Sequence, residues 1–156
     1  MIQGLLPIRD KDARLLILGS MPGGASLKAQ QYYAHPQNAF WKILTRVYGP
    51  AESYKEKAAL LKKHKLALWN VIETCERKGS LDTAIKDPKC NDLKAFLKKH
   101  PKIKRILLNG GTAHNFYMRY AKTVGLTHGF TRLPSTSPAN TMRFEEKLKV
   151  WKKALV

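Results

Sequence analysis

The side chains that could do chemistry in this chain are mostly amides, hydroxyls and aromatic rings, with few carboxylates among them. They occur in four places, at residues 19–38, at Asn70, at residues 109–112 and at residues 135–140. An asparagine amide offers a donor and an acceptor side by side, which suits the edge of a nucleobase. A tyrosine ring suits stacking on such a base. These residue types indicate a nucleobase pocket and argue against a glycosidase that uses two carboxylates.

The net charge supports a nucleic-acid substrate. The chain of 156 residues has 29 Lys and Arg against 11 Asp and Glu, a formal charge of +18. Such an excess favours polyanions, either nucleic acid or an anionic membrane. The sequence contains no HExxH, GxSxG or P-loop motif, so zinc peptidase, serine hydrolase and nucleotide triphosphatase functions lack support. A base flipped out of DNA into a pocket is therefore the predicted class of substrate.

Short apolar runs that end in turns must position these side chains. Residues 15–18 read as a buried strand, and a turn with three glycines and one proline follows at 19–24. Further strands are predicted at 66–69, at 103–108 and around Arg132-Leu133. Open α/β sheets place ligands where such strands end, so the turns should meet at one edge.

Helices are predicted between these strands. Their spacing of apolar residues predicts helices at 38–48 and 53–63, from Asn91 or Asp92 to His100, after Thr112, and from about Arg143. The segment 73–90 has no clear period and is predicted as a long loop. The alternating order predicts an α/β fold: a single-domain three-layer sandwich over residues 1–156, with a central four-stranded parallel sheet flanked by helices.

Location, cofactors and assembly follow from what the sequence lacks. No apolar run reaches the ~20 residues of a membrane span, and no signal peptide is evident, so a cytoplasmic, nucleoid-associated protein without membrane contact is expected. Cys75 and Cys90 lack the spacing of a metal site, and they are expected to be unpaired thiols in a reducing compartment. We expect no metal, no cofactor and a monomer.

Four segments carry a resemblance to a known family. They read GSMPG at 19–23, YAHPQNAFW at 33–41, LWN at 68–70 and LPSTSPAN at 133–140. With these segments in this order, the chain resembles the uracil-DNA glycosylase superfamily, and within it the hypoxanthine-DNA (deoxyinosine) glycosylases. The resemblance implies the uracil-DNA glycosylase-like sandwich and a monofunctional DNA repair enzyme. It would hydrolyse the N-glycosidic bond of a flipped, deaminated base and leave an abasic site.

The resemblance also implies a role for each motif. Tyr33 would stack on the base and Asn70 would read its edge, with the glycine turn as a backbone cradle. The segment from Ser135 would grip phosphate and insert a wedge into the DNA. The base-binding residues are then Gly19, Ser20, Met21, Pro22, Gly23, Tyr33 and Asn70, and the residues at the DNA backbone or wedge are Gly110, Gly111, Ser135, Thr136, Ser137, Pro138, Ala139, Asn140, Met142 and Arg143.

The chain departs from the superfamily pattern at the positions that carry the chemistry. Members that act fast on uracil have Asp at the place of Met21 and a histidine at the place of Ser135. The resemblance therefore implies that Asn38 orients the water. Asn38 could instead cap the helix that follows it, or do both. His35 is expected to fix the loop as a hydrogen-bond donor, although an imidazole could also assist a purine leaving group.

Two smaller questions at the site stay open in the sequence. Ala139 stands at the wedge position and is too small to fill a base-sized gap, so Met142 or Asn140 would serve instead. Glu73 is a reserve candidate for a carboxylate that activates water.

Three other functions fit parts of the sequence. One is a uracil- or mismatch-specific (G:U or G:T) DNA glycosylase. Another is a basic DNA-binding module that has lost catalysis, and a third is a small α/β protein that binds free nucleotides.

Overall fold

The computed structural model describes all residues, 1–156. In chain order the strands are β1 (Ile2–Gln3), β2 (Leu15–Gly19), β3 (Leu66–Asn70), β4 (Ile72–Glu76), β5 (Lys86–Cys90), β6 (Arg105–Asn109) and β7 (Gly129–Leu133). The helices are α1 (Gly24–Ala29), α2 (Phe40–Tyr48), α3 (Tyr54–Lys63), α4 (Leu93–Lys99), α5 (Gly111–Val124) and α6 (Phe144–Leu155).

The central sheet has four parallel strands in the order β3-β2-β6-β7, as the sequence predicts. The register aligns their carboxyl ends, because Gly19 pairs with Asn70 and Asn109 pairs with Leu133. The turns that follow Gly19, Asn109 and Leu133 therefore leave the sheet at one edge, where Asn70 also lies. This is the edge at which parallel sheets place their ligands.

Helices cover both faces of this sheet. On one face Leu15 and Ile17 pack in a core with α2 and α6, whose Phe40 and Trp151 are fully buried. On the other face Leu16 and Leu18 pack with α4 and α5. Every residue of β2 is buried, which explains its continuous apolar run. The predicted three-layer α/β fold is confirmed.

The prediction of a long loop at 73–90 is wrong. Strands β1, β4 and β5 form a second, antiparallel sheet of three strands in the order β1-β4-β5. Most residues of β5 are exposed, the pairing of β4 with β5 shifts register, and Asp87 has a φ of +49°. An exposed, bulged strand lacks the alternation that identifies a half-buried one, so the sequence pattern could not reveal this sheet.

Helix α1 was also missed by the sequence analysis. It has six residues, starts at a glycine and buries only Ser26, so it shows no apolar stripe. Cys75 is buried on β4 and Cys90 is partly buried at the end of β5, and both are free thiols. None of the helices is both long and apolar enough to cross a membrane. The structure contains no group of three or more His, Cys, Asp or Glu side chains that could hold a metal ion.

Candidate active site

A cavity of about 600 Å³ opens at the carboxyl edge of the parallel sheet. All four chemical segments of the sequence line it, together with part of the turn between β4 and β5. The predicted site residues that line it are Gly19, Ser20, Met21, Pro22, Gly23, Tyr33, His35, Asn38, Asn70, Gly110, Gly111, Ser135, Thr136, Ser137, Pro138, Ala139 and Asn140. Met142 and Arg143 lie outside it, exposed in the segment that leads into α6.

Tyr33 contributes an aromatic ring to the wall of the cavity. The ring stacks on Phe40 with centroids 4.2 Å apart and planes inclined by 28°, and Phe40 packs edge-on against Trp151 in the core. The backbone of Tyr33 has a φ of +54°, a conformation that costs a bulky residue roughly 1–3 kcal/mol. Burial raises the pKa of the Tyr33 phenol, which therefore stays neutral. The core thus holds this ring rigidly at the cavity.

Asn70 presents a buried amide to the cavity. Its residue is only 4% exposed, and its backbone carbonyl accepts a hydrogen bond from Asn91 Nδ2 at 2.9 Å. Its side-chain Oδ1 is buried and has no hydrogen-bond partner in the protein. A buried polar atom without a partner is costly, and in a cavity it indicates a group that a ligand completes.

Gly19 makes room for both of these side chains. A Cβ at this position would lie 2.8 Å from Asn70 Nδ2 and 2.9 Å from the Tyr33 hydroxyl. Real Cβ atoms essentially never come this close to another heavy atom. A glycine at the end of β2 therefore allows the ring and the amide to meet over the backbone.

Asn109 connects Tyr33 to the loop of residues 135–140. Its Nδ2 donates to the Tyr33 hydroxyl and to Thr136 Oγ1, both at 3.0 Å, and its Oδ1 accepts from the Thr136 backbone N–H at 3.0 Å. The Thr136 carbonyl in turn accepts from the Ala39 N–H at 3.0 Å. This network fixes the ring, the loop and the start of α2 relative to one another.

A buried lysine, Lys147, anchors the loop of residues 135–140. Lys147 is 4% exposed, and its Nζ donates to the carbonyls of Ser137 and Asn140 at 3.2 and 2.9 Å. Burial lowers the pKa of Lys147. Gly110 packs against the same loop with a φ of +96°, and a Cβ there would lie 2.9 Å from Ser135 Cβ. The loop is therefore anchored at its base, while Pro138 and Ala139 are exposed at its tip.

Asn38 and His35 lie before α2 and line the same cavity. Asn38 Oδ1 accepts from the Phe40 N–H at 2.9 Å, so its amide fixes the entry to the helix. His35 is exposed, and its Nδ1 accepts from the Gln37 N–H at 3.1 Å. The sequence predicted a donor at His35, and at this nitrogen it is an acceptor. An acceptor at Nδ1 leaves Nε2 as the nitrogen that carries the ring proton.

The sequence alone does not reveal the contribution of the turn between β4 and β5. Asp82 from this turn lines the cavity, and its Oδ1 accepts from the Ser20 hydroxyl at 2.8 Å. Glu73 does not line the cavity, and its carboxylate lies 3.7 Å from Lys89 Nζ. No motif marks Asp82 in the sequence, because only the pairing of β4 with β5 brings it to the site.

Met21 and Arg77 shape the glycine turn from behind. The Met21 side chain packs with Ile72 and Cys75 in a small apolar cluster. Arg77 donates from Nη2 to the Pro22 carbonyl at 2.6 Å. The sequence gives no indication of this contact of Arg77, because one basic side chain is not distinctive in a strongly basic chain.

The fold and the cavity define a class of α/β proteins with a pocket at the carboxyl edge of a parallel sheet. The pocket is lined by the ring of Tyr33, which stacks on Phe40, and by Asn70, whose amide oxygen has no partner in the protein. Comparison with known proteins identifies the family. Residues 7–156 match the uracil DNA glycosylase superfamily. The chain belongs to this superfamily.

Individual relatives match more than two thirds of the chain. A hypoxanthine DNA glycosylase from Methanosarcina barkeri is 38% identical over 111 residues, which are 69% of this chain and 70% of the relative. A hypoxanthine DNA glycosylase from Methanosarcina acetivorans is 31% identical over 152 residues, 96% and 94% of the two chains. A solution NMR structure of a Methanosarcina acetivorans protein, provisionally assigned as a uracil DNA glycosylase, has a TM-score of 0.84 at 31% identity and covers 98% and 95%.

Proposed function

We propose that residues 1–156 form a single domain that acts as a monofunctional DNA glycosylase on hypoxanthine. It would flip deoxyinosine out of DNA, hydrolyse the N-glycosidic bond and leave an abasic site. The observation that carries this proposal is the buried, unpartnered Oδ1 of Asn70 in a cavity walled by the Tyr33 ring. The relatives named hypoxanthine DNA glycosylase support the choice of base.

The chemistry of the base edge fits Asn70. Hypoxanthine presents a carbonyl acceptor beside an N–H donor, and an asparagine amide offers the complementary pair. Uracil presents the same pair, so the amide alone does not choose between the two bases. The choice of hypoxanthine rests on the relatives and on Met21 and Ser135, which replace the groups that resemblance associates with fast uracil excision.

Three features support the binding of DNA. The charge of +18 provides the non-specific attraction to phosphates. The anchored loop of residues 135–140 lines the cavity and carries the hydroxyls of Ser135 and Ser137, which suit contacts to phosphate. The ring of Tyr33, already backed by Phe40, offers a stacking surface for the flipped base. We propose that the protein works as a monomer on the nucleoid.

Asn38 is proposed to hold the attacking water. Its Oδ1 accepts one hydrogen bond from Phe40, and a carbonyl oxygen has a second lone pair for a water proton. His35 is proposed to assist the departing purine from the rim of the cavity. No lysine lines the cavity, which supports hydrolysis by water over attack by an amine that would nick the strand.

A panel of matched duplexes tests this function. Each duplex carries a single deoxyinosine, deoxyxanthosine or deoxyuridine, and cleavage after alkali reports abasic sites. We expect the deoxyinosine duplex to be processed fastest. Faster processing of deoxyuridine would favour a uracil- or mismatch-specific enzyme instead. Binding without any processing would favour a DNA-binding module that lacks catalysis.

A further inference from the structure

We propose that Asp82 is a catalytic residue of this glycosylase, a carboxylate that stabilises the charged sugar and accepts a proton from the attacking water. This proposal rests on the proposed function. No motif of the sequence points to Asp82. The inference comes from the turn between β4 and β5, which the structure folds over the glycine turn.

Two hydrogen bonds fasten this turn to the site. Ser20 donates from Oγ to Asp82 Oδ1 at 2.8 Å, and the Gly24 N–H donates to Ser80 Oγ at 2.8 Å. The Asp82 carboxylate is therefore held at a defined place beside the residue that precedes Met21. Its second oxygen, Oδ2, accepts no hydrogen bond from the protein and is free to act on a substrate.

Asp82 is also the only acidic residue that lines the cavity. Because the chain carries 11 acidic residues against 29 basic ones, the carboxylate at this place is not part of a generally acidic surface. The side chain of Met21 is buried with Ile72 and Cys75 and can supply no charge. Asp82 is therefore the one carboxylate through which the protein can place a negative charge at this cavity.

The different burial of Asn70 and Asp82 indicates which part of a flipped nucleotide each would contact. Asn70 is 4% exposed at the end of β3, whereas Asp82 is exposed at the rim. A flipped nucleotide enters with its base first, so the base reaches Asn70 and the sugar stays at the rim. An anion at the rim faces the sugar, which becomes positively charged in an oxocarbenium-like transition state.

The reaction then balances as a hydrolysis. The bond between C1′ of the sugar and N9 of the base breaks, and its electron pair leaves with the base. The oxygen of the water bonds to C1′, and one proton of this water passes to the Asp82 carboxylate and from there to solvent. The departing base takes up a proton, from solvent or by way of His35. Removal of a positioned proton acceptor of this kind costs roughly 10²- to 10⁴-fold in rate.

The test compares Asp82→Asn with Asp87→Asn in single-turnover excision of hypoxanthine at saturating enzyme. Both changes remove one carboxylate from the same part of the chain, but Asp87 is exposed on β5 and does not line the cavity. The amide oxygen introduced by Asp82→Asn would still accept the Ser20 hydrogen bond, and an exposed turn tolerates the change, so circular dichroism and melting should be unaltered. We expect at least a 100-fold slower rate for Asp82→Asn and a rate within about threefold of wild type for the control.

A further readout separates a direct role from a structural one. Ser20→Ala should slow excision, while the double variant Ser20→Ala/Asp82→Asn should be no slower than Asp82→Asn alone, because the hydroxyl acts through the carboxylate.

The outcomes distinguish this proposal from the proposed function. If wild type releases hypoxanthine and Asp82→Asn does so equally fast, the role of Asp82 is refuted and the glycosylase function stands. The role is refuted too if Ser20→Ala slows excision further in the Asp82→Asn background. If wild type releases no base from any lesion, the proposed function itself fails.

Discussion

The change Gly19→Ala tests whether the ring and the amide act together in the cavity. The new Cβ would lie 2.8 Å from Asn70 Nδ2 and 2.9 Å from the Tyr33 hydroxyl, where ordinary contacts begin at 3.4 Å. Each group must therefore retreat by about half an ångström. Tyr33 is held by Phe40 and Asn109, and Asn70 is nearly fully buried, so neither can move without disturbing its neighbours.

The expected loss can be scaled from these displacements. A misplacement of about 1 Å at a reacting centre costs roughly 100-fold in rate, so two shifts of about half that size should cost roughly 10- to 100-fold. Overpacking should also lower the free energy of unfolding by about 1–3 kcal/mol, offset in part by the loss of a flexible glycine.

The assay is single-turnover release of hypoxanthine from a deoxyinosine duplex at saturating enzyme, with urea unfolding as the measure of stability. Gly129→Ala at the start of β7 is the matched control, because a Cβ there meets nothing within 4 Å. Gly19→Ala should be slow while still folded at the assay temperature. A rate within about threefold of the control would refute the placement of the base between Tyr33 and Asn70, since the predicted displacement alone should exceed that factor.

Two other substitutions probe the surroundings of the cavity. Tyr33→Ala should slow excision roughly 5- to 150-fold through lost stacking. Tyr33→Phe keeps the ring and its packing on Phe40 and loses only the hydrogen bond from Asn109, so it should be slowed much less; equal rates for both would contradict the stacking role. Lys147→Met leaves two loop carbonyls without their donor and should lower the free energy of unfolding in urea by about 1–3 kcal/mol, whereas the exposed Lys149→Met should change it little. Because burial lowers the pKa of Lys147, the cost of holding it charged is present at neutral pH, and this contribution should make the protein more stable as pH rises above the pKa in the folded state.

The sequence was informative where burial is complete. Residues 15–18 form β2, the most buried strand, and every position there is apolar because both faces are covered. The helix predicted from Phe40, Ile43 and Leu44 forms as α2, and the face that carries these residues packs in the core. The rule that parallel strands deliver their turns to one edge then placed the cavity correctly.

The sequence was uninformative where position depends on pairing between distant segments. Asp82 reaches the cavity only because β4 and β5 pair, and those strands are too exposed to show a periodic pattern. Lys147 supports the loop through carbonyls seven and ten residues earlier in the chain, which no composition or spacing reveals. Local sequence patterns thus predicted the strands and turns that form the cavity. The positions of Asp82 and Lys147 depend on tertiary contacts that the sequence does not reveal.

The most direct test of the central claim measures the released base itself. A duplex with one deoxyinosine is incubated with the protein, free hypoxanthine is quantified by mass spectrometry, and the strand is examined before and after alkali. We expect one hypoxanthine released for each site, with an intact strand that breaks only on alkali. A strand nicked without release of base, or no hypoxanthine at all, would contradict it.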